Sequence, residues 1–134
     1  MKYFWQRIRH KNVKPILIVD DEPIVRESLR DWLIDAGYQV ITAESGEEAI
    51  GIIEQGDIDI MILDIRLPGR SGISVLREVR EKKPNIKTII ITAYPSSELT
   101  AQALGLGMTD YLIKPVAPDA LEGLIREALE KHSD

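Results

Sequence analysis

Hydrophobic positions along this chain switch repeatedly between strand-like and helix-like spacing. Ile16-Leu17-Ile18-Val19 is an unbroken apolar run without polar alternation, the pattern of a strand buried on both faces. It stops at Asp20-Asp21. Pro23 suits a first helical turn, and Val25, Leu29, Leu33 and Ala36 follow at helical spacing until Gly37 offers a stop. The unit recurs four times. Residues 38–43 read as a strand whose mixed polarity suits a sheet edge, and a helix follows over 46–55. Residues 58–63 form a second buried strand ending at Asp64; past the loop 67–72, Ser71 can cap a helix running to about Glu81. Residues 88–91 are a third buried strand ending at Thr92, with a weaker helix over 97–104 diluted by Gly105 and Gly107. A short strand over 111–113 precedes the most amphipathic helix, marked by Leu121, Leu124, Ile125, Ala128 and Leu129.

Five strand–helix pairs predict an α/β fold with a parallel sheet. Right-handed crossovers favour the flavodoxin-like, doubly wound (βα)5 sandwich, with strand order 2-1-3-4-5 and helices on both faces. Residues 15–134 make up this domain, and residues 1–14 form a basic, aromatic extension.

Charge divides the chain in the same place. Five of the 17 basic residues stand within the first fourteen positions, with no acid among them; the other 12 face all 22 acids, a body at −10. That acidic body argues against nucleic-acid contact, which needs a clustered basic surface. Cysteine is absent, so disulfides and thiolate metal sites are excluded. No apolar run approaches the roughly 20 residues of a membrane span, and the basic start lacks a signal-peptide core, so the expected compartment is the cytoplasm. Tyr3, Phe4, Trp5 and Ile8 among the tail's basic residues leave two readings. A disordered extension is favoured, and contact of residues 1–12 with an anionic membrane is the alternative.

In an open parallel sheet, ligands bind beyond the carboxyl ends of the strands. Those ends carry Asp20-Asp21, Asp64, Thr92-Ala93 and Lys114-Pro115. Singly, each has a bland explanation: a helix cap, a turn residue, a strand former, a surface charge. Together they put three carboxylates, a hydroxyl and a cation on one edge, and clustered carboxylates repel unless a cation joins them. A hard divalent ion such as Mg2+ meets that need. The chemistry this set suits is phosphoryl transfer. Asp64 would be the nucleophile, Lys114 would balance the growing negative charge, and Thr92 would donate a hydrogen bond.

Val19-Asp20-Asp21-Glu22-Pro23, Leu63-Asp64-Ile65-Arg66-Leu67-Pro68-Gly69, Ile91-Thr92-Ala93 and Asp110-Tyr111-Leu112-Ile113-Lys114-Pro115 resemble, in order and spacing, the signature segments of the response-regulator receiver family. The resemblance covers about residues 15–131. It implies a phosphoacceptor module of two-component phosphorelays, in which Asp64 becomes a 4-aspartylphosphate. Asp21 would bind Mg2+ directly, Asp20 through a water, and the Arg66 backbone carbonyl would be a further ligand. Thr92 would turn toward the phosphoryl group with Lys114 paired to it. Tyr111 would follow Thr92 as the switch aromatic, reshaping the face of the fourth helix, fifth strand and fifth helix. A cis Lys114–Pro115 bond is expected. The donor would be a phosphohistidine on a sensor histidine kinase or histidine phosphotransfer protein, docking at the first helix. The downstream protein target is not named by these residues. His10 and His132, in terminal segments, are not internal donors.

Arg66 and Tyr94, each two residues past a site residue, flank the path of an attacking water or else extend into solvent. Val116 stands where the family often has an aromatic. The expected module catalyses its own phosphorylation and dephosphorylation, and is not an enzyme turning over outside substrates. A metal-dependent phosphohydrolase would need an Asp-x-Asp after the first strand, whereas these acids are adjacent. A nucleotide-binding domain would need a Gly-x-Gly-x-x-Gly or Walker A loop, and none follows a strand. A degenerate receiver is disfavoured by the intact acid, hydroxyl and lysine set.

Overall fold

The computed structural model describes residues 14–132. The extension before Lys14, with His10 and its suggested membrane contact, lies outside the described residues. Ten elements alternate: β1 (Ile16–Val19), α1 (Pro23–Asp35), β2 (Val40–Ala43), α2 (Gly46–Gln55), β3 (Ile60–Asp64), α3 (Gly72–Lys82), β4 (Lys87–Thr92), α4 (Ser97–Gly105), β5 (Asp110–Ile113) and α5 (Pro118–His132). All strand pairs are parallel, in the order β2-β1-β3-β4-β5.

Period-two alternation divides each strand between two cores. Leu17, Val19, Met61, Leu63 and Ile90 face α2, α3 and α4. Ile16, Ile18, Ile60, Ile62, Ile89 and Ile91 face α1 and α5 through Leu29, Leu33, Leu121 and Ile125. Because β1 and β3 are covered on both sides, every residue in them is buried. The edge strands β2 and β5 are only partly covered, as the mixed polarity of β2 implies.

Local chemistry sets the element ends. Ser45, Ser71 and Ser96 each accept a backbone N–H three residues on, capping α2, α3 and α4. Gly37 and Gly107 take φ of +103° and +85°, closing α1 and the turn after α4. Two strands begin later than their apolar runs suggest. Tyr38 is buried, but its N–H closes the end of α1 on the Leu33 carbonyl, so β2 starts at Val40. Ile58 is likewise buried in the core ahead of β3. Burial without a ladder partner makes core, not strand. Among the described residues no helix is long and apolar enough to cross a membrane.

Candidate phosphoacceptor and metal site

Register brings the strand ends together. Val19 pairs with Leu63, so Asp20 follows beside Asp64; Thr92 pairs with Ile113, so Lys114 follows beside Thr92. Asp20 and Asp64 are buried and Asp21 is exposed. One carboxylate oxygen from each lies within 4.8 Å of the others. Asp64 Oδ1 accepts the Arg66 N–H at 3.0 Å, and Asp20 Oδ1 accepts the Glu22 N–H at 2.9 Å. The acids are thereby tied to their own loops.

Lys114 supplies the counter-charge. Its Nζ lies 2.8 Å from Asp20 Oδ2, 2.9 Å from Asp64 Oδ2 and 2.9 Å from Glu22 Oε1. The contacts with Asp64 and Glu22 are aligned hydrogen bonds, whereas Asp20 Oδ2 has no aligned donor. Burial works against the charge on Lys114, but its contacts with Asp20, Asp64 and Glu22 outweigh it and hold the ammonium above the ordinary lysine value. Burial, reinforced by the charge of Asp20, pushes the Asp64 carboxyl up despite Lys114 and the Arg66 N–H.

One ammonium does not neutralise this pocket. Two carboxylates about 5 Å apart repel by about 3 kcal/mol at an effective dielectric of about 20. The donors are all hard oxygens, and a buried one lacks an aligned partner. This acidic cluster fits a hard divalent cation such as Mg2+.

Thr92 is buried at the end of β4, and its Oγ1 accepts the Tyr94 N–H at 3.1 Å. Behind it lies a cavity of about 10 Å3, room for about one water, lined by Thr92, Tyr94, Leu99, Ala103, Met108 and Tyr111 among others. Tyr111 packs partly buried against the core there. Arg66 and Tyr94 are both exposed, yet the guanidinium sits 4.8 Å from the centre of the Tyr94 ring and links the loops after β3 and β4. The Lys114–Pro115 peptide is cis, and Val116 packs against the α1/α5 core.

Three contributors escape the strand-end rule. Glu22 joins Lys114 from the α1 side. Arg26, on the buried face of α1, donates to the Asp20 carbonyl at 2.8 Å and reaches Glu44 at 3.3 Å, bracing the acidic loop from beneath. Its position three before Leu29 and seven before Leu33 puts it on the helix's apolar stripe, a signal the sequence did carry. Arg70 staples the loop after Asp64 by donating to Ser74, Glu47 and Glu78. Lys82 extends this network to Glu54 and Glu78, and the two carboxylates lift its pKa to about 12.

Known proteins resemble this chain in sequence and in fold. The family described as the response regulator receiver domain matches residues 16–126. The transcriptional regulatory protein ZraR of Escherichia coli K12 is 37% identical over 124 residues, 90% of this chain and 27% of that protein. A CheY-like receiver domain protein from Methanospirillum hungatei superposes with a TM-score of 0.88 at 33% identity, covering 91% of this chain and 98% of that one. The response regulator TrrA of Thermotoga maritima, solved in complex with Mg2+ and BeF, gives 0.78 at 40% identity, covering 87% and 99%. Among the curated relatives first matched, the chain spans from 26% to 50% of their length. By sequence and by fold, the chain belongs to the response regulator receiver domain family, whose members work with sensor kinases and output domains in two-component signalling.

Proposed function

We propose that this chain is a phosphoacceptor that takes a phosphoryl group from a phosphohistidine donor onto Asp64 and signals by a change of conformation. The observation that carries the reading is the juxtaposition of Asp20, Asp21 and Asp64 with Lys114 at the carboxyl edge of the sheet. In the transfer, an Asp64 carboxylate oxygen attacks phosphorus, a P–O bond forms, and the P–N bond breaks with its electron pair leaving on the imidazole. Lys114 balances charge on the phosphoryl oxygens, and Thr92 turns its hydroxyl from the Tyr94 N–H toward them. Asp20, Asp21, Asp64 and the Arg66 carbonyl would hold Mg2+, which supplies charge neutralisation when bound. The TrrA complex with Mg2+ and BeF supports this assignment by likeness.

Withdrawal of Thr92 opens room beside Tyr111, so the ring can move inward and alter the surface of α4, β5 and α5. Leu104 and Ile113, 61% and 50% exposed, give that face an apolar character suited to a downstream protein. Ile24, 81% exposed at the start of α1, is placed to meet a kinase or phosphotransfer protein. The module acts on itself in a cytoplasmic setting, without turnover of outside substrates and without nucleic-acid contact.

Incubation with Mg2+ and a small phosphodonor should add one phosphate to the intact mass, and Asp64→Asn should add none. No gain in the unaltered chain, or a gain retained by the variant, sinks the reading. The Arg66–Tyr94 stack links the loops after β3 and β4, where it would cover the approach of a hydrolytic water. Replacing both with alanine should therefore shorten the aspartyl-phosphate lifetime by roughly tenfold, equivalent to about 1.4 kcal/mol of barrier. Decay followed by intact mass checks this, and an unchanged rate counts against a shielding role.

A further inference from the structure

The Lys114 Nζ lies 2.8–2.9 Å from three carboxylate oxygens, and its aligned hydrogen bonds go to Asp64 and Glu22. A phosphoryl oxygen arriving on Asp64 competes with those oxygens for the same ammonium. The three are not equivalent. The Asp20 side chain is 0% exposed, so abandoning it would leave a buried carboxylate uncompensated, and the contact with Asp64, 5% exposed, stays within the aspartyl phosphate that forms there. The Glu22 side chain is 58% exposed, and water can replace the ammonium at its carboxylate. Glu22 stands one residue past the acidic pair, and its own N–H is held by Asp20 Oδ1. Its carboxylate therefore sits on the solvent side of the lysine.

We propose that Glu22 is a displaceable placeholder, its exposed carboxylate holding the Lys114 ammonium at the mouth of the site until a phosphoryl oxygen on Asp64 takes its place. The inference rests on the phosphoacceptor reading and adds a competing ligand to it. Before transfer, Glu22 keeps Lys114 aimed over Asp64. During transfer it opposes the incoming anion, both by its own charge and by holding an N–H on the solvent side of the ammonium. The strength of that hold sets how readily the site accepts phosphate. Glu22 is a positioning residue: it acts through Lys114.

The test is Glu22→Gln, which keeps the side chain's shape and removes its charge. With Mg2+ present, the rate constant for phosphorylation by phosphoramidate should rise about threefold or more. The affinity for BeF3−, read by 19F NMR, should tighten by a similar factor. Two comparisons separate displacement from a general loss of negative charge. Glu27→Gln, an exposed acid further along α1, should change neither quantity by as much as twofold. In a Lys114→Ala background, Glu22→Gln should lose most of its effect. Unchanged or weaker phosphorylation and BeF3− binding in Glu22→Gln overturns the proposal, as does a rise that persists without Lys114. Phosphate still appearing on Asp64 in those cases leaves the phosphoacceptor reading standing; its absence from the unaltered chain removes both.

Discussion

Gly72→Ala is expected to lower the unfolding free energy by about 3 kcal/mol, the range for forcing an atom into a closed, well-packed contact. A Cβ at Gly72 would stand 2.5 Å from the Asp64 carbonyl oxygen and 2.6 Å from the Ile65 Cα. Both are backbone atoms, so no rotamer change relieves the clash. The start of α3 must move away from the end of β3, which also strains the bond from the Gly72 N–H to the Ile65 carbonyl at 2.9 Å. Urea denaturation measures the loss as a lower midpoint at unchanged slope. Gly51→Ala is the matched control. It lies in α2 with nothing within 4 Å of the added atom, and alanine there should gain about 0.5–1 kcal/mol from helix propensity. The displaced backbone carries Asp64, so Gly72→Ala should weaken Mg2+ binding as well, whereas Gly51→Ala should not. Equal stability in the two variants would show that the close approach at Gly72 relaxes without cost.

The strand ends were legible because topology leaves them little freedom. Once five strands run parallel, the residues after Val19, Leu63, Ile91 and Ile113 must share one edge, and side-chain type then names the chemistry. Other contacts depend on which of many side chains meet. Glu22 and Lys114 are 92 positions apart in the chain, and no periodicity links them. Arg66 and Tyr94 follow neighbouring strands, so their proximity is implied, but whether they stack or extend into solvent depends on loop conformation. Arg26 is the opposite case. Its place on the apolar stripe of α1 was visible, but a charged residue at such a position reads as polar until the Asp20 carbonyl is seen opposite its guanidinium. Tyr38 and Ile58 fail as strand starts for a related reason: apolar composition reports burial, while a ladder also needs a partner strand alongside.

Asp64→Asn should stabilise the metal-free protein at neutral pH by about 1–2 kcal/mol, within the range for relieving a functional site, or several degrees in Tm. The ionised Asp64 carboxylate is buried beside Asp20, and the folded state holds its proton more tightly than an unfolded chain does. The sign follows from linkage. Between the ordinary carboxylate value and the raised one, the folded protein binds more protons, so stability falls as pH rises through that window. Above the window the cost of the charge is fully present. Asparagine removes it, leaving Lys114 with Asp20 and Glu22. The advantage of the variant should therefore shrink as pH is lowered toward the ordinary carboxylate range. Mg2+ should act in the opposite direction, raising the melting temperature of the unaltered chain with concentration and that of Asp64→Asn far less. Thermal melts at two pH values, with Mg2+ and with EDTA, test both dependences in one experiment. A variant less stable than the parent in EDTA at neutral pH would mean that the contact between Asp64 and Lys114 outweighs the carboxylate repulsion, and that the pocket needs no further cation to be at rest.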